Sequence, residues 1–326
     1  MQLITTLGIL CAFWLIVSAG TAALLSVGWH FVRNRIAPWH PLKRASILTA
    51  LATAPWTLPT WTALFLIAPG TLGVALFGFD HCHQHVSHVH LCLFHPSAPL
   101  TPLVGSVLLA CCGAGAVIAG RTFLRLTRTI RPLRALRQVK HHTLAGGASL
   151  ISSDRPFALT YGLLSPRTLI STTLLEALNP TQQTAVLAHE AEHLRRRDPL
   201  RHLIARLAST LVWPSVRREI LDELLLSIEQ TCDEKAAERV GDRIEVAETI
   251  LAVEKLVGGH PTAGPVALGI EGGALPARVS NLLDGKPSPR PRTGWLWVAI
   301  LGVWIAAAPS LHHEAEHALD IILRSF

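Results

Sequence analysis

From Leu3 to Trp29 the chain runs for 27 residues without one Asp, Glu, Lys or Arg. A transmembrane helix needs about 20 mostly apolar residues, so this run can cross a bilayer. A cleaved secretion signal has a basic start and a shorter apolar stretch. No Lys or Arg occurs before Arg33, so the expectation is a retained anchor. The other charges are just as unevenly placed. Of 29 basic and 22 acidic residues, only Arg33, Arg35, Lys43, Arg44 and Asp80 precede Arg121. Only Glu314, Glu316, Asp320 and Arg324 follow Thr293. The stretch between is charged to an ordinary soluble proportion, roughly a quarter. This segregation excludes a single water-soluble globule and a chain that is apolar throughout.

Further uncharged runs cover Ser46–Phe79, Leu100–Gly120 and Gly294–Leu311. The first of these contains Pro55, Pro59 and Pro69 and is expected to form a kinked span plus an interfacial piece. The predicted architecture is a mainly α membrane protein with four transmembrane helices. Residues 1–120 form a three-span region with an outer loop at 80–98, and 121–293 a polar domain. Residues 294–311 are the fourth span and 312–326 a short outer tail. Orientation follows Lys and Arg in short connections. Residues 32–44 hold four basic residues, and the segment after the third run holds Arg121, Arg125, Arg128, Arg131, Arg134, Arg137 and Lys140, both without an acid. Both belong on the cytoplasmic side of a bacterial-type inner membrane, and the polar domain with them. Apolar residues at helical spacing from Phe123 to Val139 predict a basic amphipathic helix over 122–140 at the headgroups. Topology alone accounts for such basic residues, so the partner expected there is the lipid bilayer, with no direct nucleic-acid binding.

Within the polar domain, Asn179-Pro180-Thr-Gln182 has the spacing of a capping box with proline in the first helical turn. About ten residues on comes His189-Glu190-Ala-Glu-His193, the H-E-x-x-H arrangement of zinc peptidases. Histidines at i and i+4 share one helix face and can both bind zinc, with Glu190 beside them to take a proton from water. The same five letters recur at His313-Glu314-Ala-Glu-His317, but only nine residues follow, too few for a third ligand and a cleft. A zinc peptidase keeps three protein ligands and one open position. Glu229 is the candidate third ligand, and Asp233, one turn on, could orient a ligand histidine through its other ring nitrogen. On spacing alone, a solvated helix face is an equal reading of that pair. Cys232 reads as a small buried residue in a reducing compartment.

Four blocks in order resemble the BlaR/MecR family of integral-membrane zinc metallopeptidases. They are Tyr161 to Ser171, with its glycine-hydrophobic-x-x-Pro strand; the His189–His193 helix; its Arg197-Asp198-Pro-Leu ending; and Glu229-x-x-Cys232-Asp233. The resemblance implies an α+β zincin domain of gluzincin type between spans three and four. It implies one catalytic zinc on His189, His193 and Glu229, with Asp233 behind them. It also implies a signal-transducing endopeptidase whose cytoplasmic substrate is a winged-helix repressor of BlaI type, or the chain itself. Two departures bear on the signal. Beta-lactam-sensing members carry a penicillin-binding domain after the fourth span, whereas this sequence ends about fifteen residues beyond it and shows no Ser-x-x-Lys motif there. Direct beta-lactam sensing is therefore not expected. Other readings are a quality-control protease like the HtpX and CAAX-protease group, or a metal sensor or carrier without catalysis. The Gly162–Arg167 block argues against the first, and Glu190 with a third ligand against the second.

Nine of the 17 histidines fall in the two outer segments. The loop holds His81, Cys82, His83, His85, His88, His90, Cys92 and His95, and the tail holds His312, His313 and His317. Imidazole and thiolate suit zinc or copper(I), so a second transition-metal site is one reading. A Cys82–Cys92 disulfide in a plain polar loop, or pH-dependent headgroup contact, are the others. If metal binds there, it would be the signal that switches the peptidase. Residues 257–293, rich in Gly and Pro, read as a return segment with a short helix near Ala277–Leu283.

Overall fold

The computed structural model describes residues 2–77, 102–136, 142–143, 148–257 and 274–284, with isolated helical positions at Gly302, Ala306, Ser310, His313, Glu314, His317 and Ile321. Three long helices come first: α1 (Gln2–Ile36), α2 (Pro41–Phe77) and α3 (Pro102–Leu136). Among the described residues, two stretches are long and apolar enough to cross a membrane, Gly8–Ile36 and Gly105–Arg131. Through residue 77 the second run lies on one helix, α2, which continues through Pro55, Pro59 and Pro69. Proline at 59 removes the N–H that would bond the Pro55 carbonyl four residues back. Ser18 of α1 replaces it, its hydroxyl donating to Pro55 O at 2.6 Å. In an apolar setting such a substitute donor lets a helix tolerate proline. Likewise the basic segment is not a separate helix starting at 122, because α3 carries on without interruption to Leu136. Most of the fourth run, and the loop 80–98, lie outside the described residues.

The chain divides into two compact units. One comprises residues 1–25, 54–122 and 290–326, where α1 and α3 approach closely at Gly8: a Cβ there would meet the Leu108 side chain at 3.1 Å. The other comprises 26–53 and 123–289 and holds every H-E-x-x-H neighbour discussed below.

In this second unit four short strands form one sheet in the order β1-β2-β4-β3. They are β1 (His142–Thr143), β2 (Ala148–Ile151), β3 (Ala158–Tyr161) and β4 (Arg167–Ser171). β2 and β4 run parallel, while β3 pairs antiparallel with β4 from Ala158↔Ile170 to Tyr161↔Arg167. The block 161–171, expected as one strand, is therefore the end of β3, a turn and β4. Gly162 makes the turn possible: its φ is +94°, and a Cβ would meet Ser165 O at 3.0 Å. β4 is internal, and the edge strands of this sheet among the described residues are β1 and β3.

Helices follow: α4 (Thr172–Glu176), α5 (Pro180–Arg196), α6 (Asp198–Ala208), α7 (Pro214–Val240), α8 (Arg243–Val257) and α9 (Leu275–Leu283). α5 begins as its sequence predicts. Asn179 Oδ1 accepts from Gln182 N at 2.9 Å, and Gln182 Oε1 from Asn179 N at 3.2 Å. Ile170, Leu174, Leu178, Val186, Val253 and Val257 form the core joining the sheet to α5 and α8. Ala185, Ala236, Ala237 and Ala247 pack a second cluster with Ile250 and Leu282. Small side chains there let α5 and α7 lie close, which brings residues 40 positions apart into one site.

Candidate metal centre

His189 and His193 stack one turn apart on α5, with ring centroids 4.8 Å apart and their Nε2 atoms at 3.1 Å. The Glu229 carboxylate, from α7, lies 3.3 Å from His189 Nε2 and 3.5 Å from His193 Nε2. Ligands about 2.0–2.1 Å from a tetrahedral zinc stand about 3.3 Å from each other, so these spacings fit such an ion. Each histidine is held from behind. Asp233 Oδ1 meets His189 Nδ1 at 2.9 Å, and Asp198 Oδ2 meets His193 Nδ1 at 3.0 Å. A carboxylate on Nδ1 fixes the ring and leaves Nε2 for a metal.

Asp198 reaches His193 because of the chain turn between α5 and α6. Arg197 adopts a left-handed conformation (φ +54°), an uncommon state for a non-glycine residue, and ends α5. Asp198 then opens α6 and folds back over the last turn of α5, with no solvent exposure. The sequence displayed Asp198 within a family block but offered no reason for it.

Arg278 is the residue that sequence reasoning missed. It is 3% exposed, and it grips Asp233 through Nε (2.8 Å) and an Nη (2.7 Å) while its other Nη lies 3.2 Å from Glu229. Helix α9 was legible as a helix, but nothing in its spacing linked it to α7. The charges show the effect. Burial would raise Glu229, but Arg278 and both histidines bring its pKa down to about 2. Asp233 is likewise held well below the usual carboxylate range, against burial, by Arg278 and His189. Burial would lower His189, yet Asp233 and Glu229 carry it up to about 10. His193 is raised too, burial being outweighed by Asp198 and Glu229. Without a metal, protons take up the negative charge of this site.

Cys232 is buried in the same place and forms a three-residue group with the two histidines that is small enough for an ion. Its sulfur, however, lies 3.4 Å from His193 Nδ1 and 3.8 Å from Asp198, on the side already taken by the aspartate. Burial and the nearby carboxylates push its thiol well up, so it stays protonated. The donor set that converges is therefore two imidazoles and Glu229.

Glu190, the residue after His189 on α5, reaches the sheet. Thr160 of β3 donates to Glu190 Oε2 at 2.6 Å, and Thr160 is itself 2.8 Å from Thr168 of β4. A groove of about 620 Å³ opens beside Glu190, between α5, Ala148 and Thr168 of the sheet, and Lys235 and Arg239 of α7. At the end of α5, Arg195 pairs with Glu192, whereas Arg196 lies 3.5 Å from Asp198, beside the site. In the second H-E-x-x-H copy, His313 and His317 are exposed helical positions. The other nine outer candidates, His81 to His95 with Cys82 and Cys92, and His312, lie outside the described residues.

An H-E-x-x-H helix facing a carboxylate from a second helix, in a chain with membrane-length apolar helices, is the arrangement of a membrane metallopeptidase. Residues 103–282, more than half of the chain, match the family model described as BlaR1 peptidase M56. The chain belongs to that family. No curated protein matches it.

Proposed function

We propose that this chain is a membrane zinc endopeptidase that cleaves a cytoplasmic protein in signal transduction. The convergence of His189 Nε2, His193 Nε2 and Glu229 at 3.1–3.5 Å, with Glu190 on the same helix, carries this reading. Zinc held there would supply Lewis acidity to a water and a peptide carbonyl. Glu190 accepts the proton of the attacking water and returns it to the leaving amide nitrogen. Thr160 holds the Glu190 carboxylate in place, and Asp233 and Asp198, on the Nδ1 atoms, leave both Nε2 atoms free to hold a zinc ion. An extended substrate segment would lie in the groove beside Glu190 and pair with β3, an edge strand among the described residues.

The basic connections of the chain favour a cytoplasmic peptidase domain in a multi-pass, four-span inner-membrane protein. Family resemblance favours a winged-helix repressor of BlaI type, or the chain itself, as substrate. The histidine-rich loop 80–98 and the tail favour extracytoplasmic zinc or copper as the inducing signal. Micromolar copper or zinc should then alter proteolysis in wild type but not in a variant with His81–His95 replaced by alanine. Equal responses in both would remove the metal signal from this reading. For the peptidase itself, Glu190→Gln should abolish cleavage of a co-expressed repressor while the protein retains one zinc. Continued cleavage by that variant would refute the assignment.

A further inference from the structure

Arg44 stands four residues into α2, and its side chain is turned to α7. Its Nε donates to Ser227 Oγ at 2.7 Å, one Nη donates to Gln230 Oε1, and the other to Ala37 O at 3.2 Å. The neighbouring contacts continue along the same helix. Trp29 Nε1 donates to Glu219 at 2.9 Å, and Arg33 pairs with Glu223 at 3.0 Å. Glu219, Glu223, Ser227 and Gln230 recur every three or four residues, so they form one stripe of α7, all of it bonded to the α1–α2 connection and its flanks. Glu229 and Asp233 form a second stripe about a quarter turn around the helix. All of these residues belong to the same compact unit.

Gln230 also faces a second partner. Its Nε2 donates to Ala277 O at 2.8 Å, the residue before Arg278. A path of hydrogen bonds thus runs from Arg44 through Gln230 to Ala277, and from Arg278 through Asp233 to His189. Ser227 and Glu229 are two residues apart, about 3 Å along a continuous helix, so a shift of α7 at Ser227 moves Glu229 with it. Metal–ligand distances tolerate only about 0.2 Å.

We infer that Arg44 is a positioning residue for the metal centre. It fixes the placement of α7 through Ser227 and Gln230, and so ties the geometry of Glu229 and Asp233 to the α1–α2 hairpin. The bland account of Arg44, one more positive charge setting membrane orientation, applies equally to Arg33, Arg35 and Lys43. Among these four Arg44 alone is buried, at 9% exposure, whereas Arg35 is exposed and Lys43 sits over the Trp39 ring at 4.1 Å. The inference rests on the zinc peptidase reading above, and its test reads the metal directly.

The test uses the full-length protein in detergent or nanodiscs, loaded with zinc alone or cobalt alone. Arg44→Lys keeps the charge but loses the fork of donors, and Arg44→Gln loses both. Both should release zinc to a chromogenic chelator about ten-fold faster than wild type and shift the visible cobalt spectrum, the range expected when support behind a ligand is removed. Arg35→Ala, which removes one charge from the same connection, should release zinc at the wild-type rate. Unchanged release and spectrum in both Arg44 variants overturn the inference, as does an equal change in Arg35→Ala. Should neither Arg44 variant fold, Ser227→Ala and Gln230→Ala carry the test, and wild-type release in both overturns it. Glu190→Gln separates the two readings: cleavage retained there defeats the peptidase assignment, while the zinc-release comparison stands by itself.

Discussion

The Arg278 guanidinium clasps both oxygens of the Asp233 carboxylate through hydrogen bonds of 2.8 and 2.7 Å, with both side chains removed from solvent. Asp233 spends its Oδ1 twice, on Arg278 and on His189 Nδ1, so one buried cation sets the orientation of a metal-facing imidazole. The same guanidinium lies 3.2 Å from Glu229 and balances a second carboxylate. Removing one partner of such a buried pair typically costs about 3–5 kcal/mol. Arg278→Ala should therefore lower unfolding free energy by about that amount and weaken zinc binding about 10–100-fold. Arg278→Lys should recover stability more than zinc affinity, because an ammonium cannot reproduce the fork. Urea unfolding and chelator competition on the purified protein measure the two effects separately.

Glu229 and Cys232 make opposite predictions about the donor set. Glu229→Gln should reduce zinc affinity by at least about ten-fold. Cys232→Ala should leave it within about two-fold and cost about 1 kcal/mol of stability from the small cavity. Zinc titration of the two variants decides between a His-His-Glu and a His-His-Cys centre.

Asp198 should behave as a partner of His193 rather than as a surface acid. Asp198→Asn retains the size but gives up the negative charge on Nδ1, and zinc affinity should fall about ten-fold or more. An unchanged dissociation rate would mean that the ring is held by packing alone.

Thr160 tests the placement of Glu190. Thr160→Val removes the hydroxyl that donates to Glu190 Oε2 and keeps the shape of the side chain. Cleavage should slow through kcat while zinc content and affinity stay normal, with a stability loss of about 1–2 kcal/mol from unpaired buried acceptors.

Zinc uptake should depend on pH through His189. Its pKa in the metal-free site is raised from 6.5 to about 10, despite burial, by Asp233 and Glu229, so zinc must displace a proton at neutral pH. Apparent affinity should then rise by about ten-fold or more per pH unit from pH 7 and level off near 10. Glu229, brought down to about 2 chiefly by Arg278 against the effect of burial, is already ionised and adds no step. The stability of the metal-free chain runs in the opposite direction. A raised histidine pKa contributes fully below 6.5 and is lost progressively as pH climbs to about 10. Thermal unfolding of the metal-free protein should therefore occur at lower temperature at pH 9 than at pH 6.5, with the difference reduced by zinc.

What was legible in the sequence lies within single helices. The spacing of His189 and His193, the capping box at Asn179 and Gln182, and the one-turn spacing of Glu229 and Asp233 are local, and helix periodicity puts each set on one face. The apolar runs were equally plain, though their details were not. Prolines in α2 signalled a kink and a separate interfacial piece, whereas α2 runs on as one helix and Ser18 on another helix donates to the Pro55 carbonyl. The turn at Gly162–Pro166 carried its own glycine signal and was still read as strand, because the resemblance was carried by the whole block.

The sequence alone determined that this chain is anchored by apolar helices and that a histidine pair with an adjacent glutamate faces one way from a helix in its polar stretch. Those properties follow from composition and from periods of three and four residues. Only the tertiary structure decided which groups meet that pair. Asp198 returns through a left-handed Arg197, and Arg278 reaches Asp233 from 45 residues away. Thr160 reaches Glu190 from the sheet, and Arg44 meets Ser227 across 183 residues. The physical reason is that charge pairing and hydrogen bonding act over about 3 Å in space. Nothing in linear spacing encodes that distance once the chain has turned back on itself.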